Sequence, residues 1–276
     1  MKYLSFNING LRARLEQLAT VLETHAPEVL ALQETKVDDA AFPREAVEAL
    51  GYHVAYFGQK GHYGVATLTK APPQAICYGF PGDGPEAQRR FIGVTVPYGS
   101  GSLRVLNGYF PQGESRSHAT KFPAKEAFYA SLQAYLEAEE DPTGPLMVVG
   151  DFNIAPRDED IGIGPDNQKR WLRTGKTSFL PEERAWFERL LSWGLTDSYR
   201  ARYPSVQEGA LSWFDYRSRG FEATPKRGLR IDHLLLTAPL MAQLEDVGVD
   251  QESRALPRPS DHCPVWVSLR PPETAS

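Results

Sequence analysis

Apolar residues along this chain gather in short runs that stop at polar residues. Lys2 to Ile8 reads as a strand ended by Asn9-Gly10, after which Leu11, Leu15, Leu18, Val21 and Leu22 recur with helical spacing. Val29 to Gln33 is a second short buried strand, followed by the polar segment Glu34-Thr35-Lys36. Tyr52 to Phe57, Gly64 to Thr69, Phe91 to Val96 and Leu103 to Phe110 have the β-branched and aromatic content of further strands. Phe122 to Glu139 has a helical pattern that ends before the turn residues Pro142 to Pro145. Leu146 to Val149 then reads as a buried strand, Pro181 to Leu191 as a helix, Leu229 to Thr237 as a strand with Asp232 in its middle, and Val265 to Leu269 as the last strand. Stacked sheets with helices outside would accommodate this order.

The polar residues at the ends of these runs are the candidate chemistry. Gly150 ends the strand from Leu146, and Asp151 and Asn153 follow with one residue between them, so strand alternation puts both side chains on one side. A carboxylate and an amide at a strand end suit a water, a metal or a phosphate, or else an Asx-type turn. Asn7 and Glu34 sit at the ends of their own strands, although a Glu in that position is ordinarily a solvated loop residue. Asp232 lies in so apolar a run that it needs a partner, and Asp261-His262 supplies a histidine before the last strand. Adjacent residues point different ways, which gives Asp261 and His262 separate tasks. The seven residues Asn7, Glu34, Asp151, Asn153, Asp232, Asp261 and His262 could therefore converge at one edge.

Composition narrows the classes. The chain has 276 residues, 41% of them hydrophobic, which is enough for a sizeable core; neither repeats nor low-complexity runs occur. With no linker dividing it, residues 1–270 read as one domain and 271–276 as a frayed tail. No apolar run has the length of a signal peptide or a membrane span, and Cys77 and Cys263 alone make no disulfide framework, so a reducing cytoplasm is expected. A net charge of −5 argues against a generally basic surface but permits a local basic groove. Such a groove is suggested by Asp166 to Lys176, where Lys169, Arg170, Arg173 and Lys176, with Arg184 nearby, surround Trp171; the alternative is a solvated helix with one buried Trp. Trp213, Phe214 and Tyr216 among Arg217 and Arg219 could stack on bases or simply be core. Carboxylates, amides and one His without a thiol favour a hard cation such as Mg²⁺ over zinc, and the absence of GxSxG disfavours a serine hydrolase. Metal-assisted hydrolysis of a phosphoester is the chemistry implied.

The segments SFNINGLRAR, LQETK, GHYGVA, NGYFPQGESR, TKFPAKEAFY, GDFNIAP, DIGIG, KRWLRTGK, SWFDYR, GLRID and PSDHCPV occur in this order and together resemble the bacterial exonuclease III family. The match runs from about residue 1 to residue 270. GDFN and SDH alone are shared by the whole endonuclease/exonuclease/phosphatase superfamily. The resemblance implies a four-layered α/β sandwich of two packed mixed sheets flanked by helices. It also implies a Mg²⁺-dependent enzyme acting on duplex DNA; a monomer is expected, and the sequence leaves open whether Mn²⁺ replaces Mg²⁺. Its activities would be 3′-to-5′ exonuclease, abasic-site incision and removal of 3′-blocking groups.

By the same resemblance, Glu34 is the principal metal ligand with Asn7 and Asp261 close to it, and Asp151, Asn153 and His262 belong to the same centre. Asp151 orients or deprotonates water with help from Asn153, His262 paired with Asp232 meets the scissile phosphate, and Tyr109 stands on the phosphate or leaving-group side. Gln112 reaches into DNA, Lys121, Arg170, Arg173 and Arg217 are its cationic contacts, and Trp213, Phe214 and Leu229 wall a pocket for a flipped-out abasic sugar. Two positions depart from the pattern: His233 stands where an aliphatic residue is expected and Cys263 where a small one is. Strand alternation turns His233 to the face opposite Asp232. The same fold acting on a phospholipid or inositol phosphate, and a DNA-binding module without catalysis, are the competing readings. The Arg-aromatic segments disfavour the first, and the presence of all the metal- and water-handling residues disfavours the second.

Overall fold

A computed structural model describes residues 1–205 and 209–272. Residues 273–276 of the expected tail lie outside the described residues. The strands are β1 (Lys2–Asn7), β2 (Val29–Gln33), β3 (His53–Phe57), β4 (Val65–Thr69), β5 (Ala75–Tyr78), β6 (Phe91–Tyr98), β7 (Gly101–Tyr109), β8 (Leu146–Asp151), β9 (Leu195–Asp197), β10 (Asp232–Thr237), β11 (Leu244–Val249) and β12 (Val265–Leu269). The helices are α1 (Leu15–His25), α2 (Arg44–Glu48), α3 (Lys121–Glu139), α4 (Pro165–Thr174), α5 (Pro181–Gly194), α6 (Ser198–Arg202) and α7 (Ala238–Met241).

The strands form two mixed six-stranded sheets, ordered β11-β12-β1-β2-β4-β3 and β5-β6-β7-β8-β10-β9. In each sheet one central pair is parallel, β1 with β2 and β7 with β8, and the other pairs are antiparallel. Strand alternation divides the core into layers. Tyr3, Val29, Ala31, Val65 and Val267 meet Val94, Val105, Met147, Val149 and Leu236 between the sheets. Leu4, Phe6, Leu30 and Leu32 turn the other way, onto Leu18, Val21 and Leu22 of α1 and Val47 of α2. Leu106, Leu146, Val148 and Leu235 turn outward onto Tyr129, Leu132 and Leu136 of α3 and Trp186, Phe187 and Leu190 of α5. The result is the expected four-layered sandwich. No helix among the described residues is long and apolar enough to cross a membrane.

Element positions differ from expectation in a few places, each for a local reason. β8 runs through Gly150 to Asp151, because a glycine there allows close approach to β7: a Cβ at Gly150 would lie 1.9 Å from the Gly108 carbonyl oxygen. Asp232 is the first residue of β10 and not its middle, since Leu229 and Ile231 bond instead to Trp213, Ser212 and Phe152. β5, β9 and β11 carry too few alternating apolar residues to read as strands; β5 and β11 are sheet edges, and β9 has three residues.

Behind β10 lies a buried ionic cluster that the strand pattern does not reveal. The Arg230 guanidinium, 1% exposed, donates to both oxygens of Asp160 and of Asp197, and Arg200 also donates to Asp160. Burial opposes the charge on Asp197, yet Arg230 holds its carboxyl down at about 2. His233 joins this cluster from the face opposite Asp232. Its Nδ1 accepts from Arg230 at 3.1 Å, its Nε2–H donates to the Ile154 carbonyl at 2.8 Å, and its ring packs on Phe152 and Phe187.

Burial and the neighbouring Arg230, against the pull of Asp197 and Asp160, press the pKa of His233 down to about 4. As pH falls from 6.5 toward 4 the unfolded chain takes up a proton at this residue and the folded one does not, so stability is lost across that window. His233→Leu should therefore gain stability relative to the parent by about 3 kcal/mol between pH 8 and pH 4, read from urea unfolding at both values. A difference that does not change with pH would refute the assignment.

Candidate active site

Topology explains why the polar residues meet. Parallel neighbours end on the same side, and an antiparallel neighbour begins there. Asn7 ends β1 and Glu34 follows β2, while Asp261 and His262 precede the antiparallel β12. In the other sheet Tyr109 ends β7 and pairs in register with Asp151 at the end of β8, which pairs with Asp232 at the start of β10. Both sheets thus deliver their polar ends to one rim.

There the seven expected residues form one network. The Asn7 amide, fully buried, donates to Glu34 Oε2 at 3.0 Å and to Asp151 Oδ2 at 2.9 Å, joining carboxylates from the two sheets. Its own oxygen accepts from the Asn9 main chain. Asp151 Oδ1 accepts from the Asn153 N–H at 3.0 Å, and the Asn153 amide donates to the Phe110 carbonyl. His262 Nδ1 lies 2.9 Å from Asp232 Oδ2, and its Nε2 lies 3.6 Å from Asp151 Oδ2. Asp261 points elsewhere, accepting from Asn9 Nδ2 and from the Trp213 indole N–H. Lys36 closes the circuit, 3.2 Å from Glu34 Oε1 and 2.6 Å from Asn9 Oδ1.

Burial sets the electrostatics. It raises the pKa of Asp151, with His262 opposing and Asp232 adding to the rise. For His262 burial disfavours the charge, yet Asp232 and Asp151 together hold its pKa well above the usual histidine value. Burial and then the Glu34 carboxylate push Tyr109 upward, so its hydroxyl stays protonated beside Glu34.

Asp151, Asp232 and His262 bring ligand atoms within 4.8 Å of one another, a grouping that could hold a metal ion. The hydrogen bonds make Asp232 the least available of the three, because both its oxygens meet His262 and one also accepts from Ser212. Of the network's carboxylates, Glu34, Asp151 and Asp261 line one cleft of about 550 Å³, which Asp215 also lines. These are oxygen donors, and neither cysteine lines the cleft, so the donor set suits a hard cation.

The same cleft is also lined by Ile163, Trp171, Trp213 and Ile231 together with Arg170, Lys176, Arg217 and Arg227. Trp171 is buried, stacks on Phe179 and has the Lys176 ammonium 4.0 Å over its ring, so the run from Asp166 is at once a packed helix and a cationic wall. Arg173 is exposed and does not line the cleft, and Arg184 pairs with Asp158 instead. Phe214 and Leu229 are fully buried and do not line it, Phe214 packing on Phe221. Of the three residues expected to wall a sugar pocket, Trp213 lines this cleft beside Trp171, Ile163 and Ile231, while Phe214 and Leu229 are buried outside its lining. Gln112 lines the cleft while its amide bonds Thr177 and the Glu114 N–H. Lys121 pairs with Glu114 in an adjoining cavity of about 440 Å³ that shares Glu34, Tyr109 and Gln112 and adds Arg90.

The model for the Endonuclease/Exonuclease/phosphatase family matches residues 4–262, spanning every one of these side chains. The chain belongs to this family. It is 57% identical over 270 residues to the exodeoxyribonuclease III of Haemophilus influenzae, covering 98% of this chain and 100% of that protein. Its fold is similar to that of a 3′ phosphatase from Neisseria solved with a product DNA hairpin, at 40% identity and a TM-score of 0.89, covering 98% of this chain and 99% of that one. An AP endonuclease from Archaeoglobus fulgidus gives a TM-score of 0.88 at 30% identity, with the same coverages of 98% and 99%.

Arg90 and Ser212 touch Tyr109 and Asp232 and escaped the strand-end reading. Arg90 stacks on Tyr109 and Tyr63, and only its place before β6 hinted at it. Ser212 is fully buried; its hydroxyl donates to Asp232 Oδ2 at 2.7 Å and accepts the N–H groups of Ile231 and Asp232. A small polar residue between Leu211 and Trp213 was the one available signal. Ser212→Ala leaves a buried carboxylate and two N–H groups short of partners, and should cost about 1–3 kcal/mol in urea unfolding. An unchanged midpoint would show that water replaces the hydroxyl.

Proposed function

We propose that this chain is a metal-dependent DNA-repair nuclease: a 3′-to-5′ exonuclease on duplex DNA that also incises at abasic sites and removes 3′ phosphates and 3′ phosphodiesters. The observation that carries the reading is the cleft itself, which brings Glu34, Asp151, Asp261 and the carboxylate-held His262 together with Trp171, Trp213, Arg170 and Arg217 in one lining. The exodeoxyribonuclease, AP endonuclease and 3′ phosphatase relatives support it. One domain over residues 1–270 is favoured by the pairing of β1 with β12, from the two ends of the chain. A monomer in the cytoplasm fits a site drawn entirely from one chain and two free cysteines.

Glu34 and Asp261 would hold Mg²⁺, or Mn²⁺ in its place, with Asn7, Asp151, Asn153 and His262 completing the centre. Bound there, the ion supplies Lewis-acid neutralisation of the phosphodiester oxygens. Asp151 orients a water and accepts its proton, its own oxygens fixed by Asn7 and Asn153. His262, steered by Asp232, donates from Nε2 to a non-bridging oxygen as charge builds there. Tyr109 donates its phenolic proton toward the phosphate or the leaving group. Trp213 and its neighbours admit a bare abasic sugar and exclude one that carries a base. Arg170, Lys176, Arg217 and Arg227 hold the DNA backbone.

Duplexes labelled at one end, carrying either an abasic site or a recessed 3′ end, should be cut with Mg²⁺ and left intact with EDTA. Asp151→Asn should bind both and cleave them at least about a hundredfold more slowly. Near-parental turnover would sink the base assignment, and cleavage after thorough chelation would sink the metal. Trp213→Ala should slow abasic-site incision more than release of a 3′ phosphate. Equal losses in the two assays would contradict the sugar pocket.

A further inference from the structure

Beneath the floor of the cleft, α3 and α5 contribute one side chain each to an ion pair with no solvent exposure, Lys125 with Glu183. The Lys125 ammonium also donates to the Asn153 carbonyl at 2.8 Å and to the Gln112 carbonyl at 3.3 Å. An ammonium has three N–H groups, and these three acceptors use them all. Glu183 extends the arrangement: its second oxygen accepts the main-chain N–H of Ser178 at 2.8 Å and of Leu180 at 2.9 Å. One buried pair therefore grips the backbone at Gln112, Asn153 and Ser178, three residues that line the cleft and come from three separate connections.

Two backbone features fit this grip. Asn153 is in the left-handed region, with φ of 51°, which asparagine adopts more readily than other residues with side chains, and the Lys125 ammonium bonds the carbonyl that this turn presents. Gly113, at φ of 85°, leaves room for the lysine: a Cβ there would stand 3.0 Å from both Lys125 Cδ and Thr177 Cγ2. Stability alone does not favour a buried ion pair, because an apolar pair of equal volume serves as well or better. An apolar pair would supply no donor to the two carbonyls and no acceptor to the two N–H groups.

We propose that Lys125 is a positioning residue for phosphodiester hydrolysis, presenting Asn153 and Gln112 to the substrate through their main-chain carbonyls, with Glu183 fixing the ammonium. This rests on the reading of the cleft as the DNA-cleaving site. Its effect falls on the rate of the chemical step, because Lys125 is sealed from solvent and touches no ligand.

Lys125→Met strands a buried carboxylate and should unfold at lower urea; Lys125→Met/Glu183→Gln removes that charge and should recover most of the midpoint. In single-turnover cleavage of an abasic duplex with Mg²⁺, the double variant should still be about tenfold to a hundredfold slow. Its affinity for the same duplex in EDTA should be unchanged. A double variant that recovers both stability and rate would overturn the proposal, as would a loss confined to affinity. If the double variant does not fold, Lys125→Arg keeps a cation against Glu183 but offers the carbonyls a planar guanidinium, and should be slow in the same assay. A parental rate in that variant overturns the proposal as well. Asp151→Asn, run alongside, separates the two ideas: if it too cleaves at the parental rate the cleft is misread, whereas a slow Asp151→Asn beside a fast Lys125 variant removes Lys125 alone.

Discussion

A single primary amide, at the end of β1, is what joins carboxylates from both sheets at one rim. Glu34 and Asp151 are two carboxyl groups brought together at the edge of a core, where like charges repel and hydration is lost. Asn7 places one N–H on each. The geometry of the amide sets their spacing, and its oxygen is tied back to the Asn9 main chain so that it cannot flip without losing a bond. The rest of the site is arranged around that spacing: the Asn153 N–H holds the other oxygen of Asp151, His262 lies against the oxygen that Asn7 also meets, and Lys36 stands at the other oxygen of Glu34. The two sheets are held to the same registration a little deeper, where Gln33 donates to Asn107 and Asn107 in turn donates to the Leu32 and Ala66 carbonyls.

The layers and the reacting edge were legible because both depend on strand alternation and strand ends. Asn7, Glu34, Asp151 and Asn153 sit where an apolar run stops and Asp261 and His262 just before one begins, Asp232 stood out as a carboxylate inside an apolar run, and the opposed directions of Asp261 and His262 follow from adjacency alone. Alternation likewise sent His233 away from Asp232, and the structure has it on that opposite face. The cleft's apolar wall was less legible. Trp213, Phe214 and Leu229 are equally apolar in sequence, and the choice of which lines the cleft is made by backbone pairing of Trp213 with both Leu229 and His262. Partners that act on the main chain are harder still, since a carbonyl leaves no mark in the side-chain pattern. Even so, Lys125 falls on the stripe Lys125, Tyr129, Leu132, Leu136, and Glu183 on the stripe Glu183, Trp186, Phe187, Leu190. A charge on each of two buried helical faces is a readable sign of a pair.

Internal charge recurs in this fold wherever irregular backbone has to be anchored. Arg230, between Asp160 and Asp197, secures the turn after Pro156, the short β9 and the approach to β10. Lys125 and Glu183 secure the connections on the other flank of Asp151. Long connections that run over a sheet edge have many polar groups and few apolar ones, so guanidinium and ammonium donors reach them where a hydrocarbon could not. Both clusters lie under the rim, out of contact with anything that binds above it.

The last strand has a consequence for how the protein is born. β12 lies between β1 and β11, and the amino group of Met1 donates to the Leu269 carbonyl, so the beginning of the chain waits for its end. Asp261 and His262 arrive with that strand. While the ribosome still holds these residues, Asp232 faces no imidazole and β1 has an open edge. The partner of Asp232 and the cover of the β1 edge are thus supplied by the same late segment of the chain.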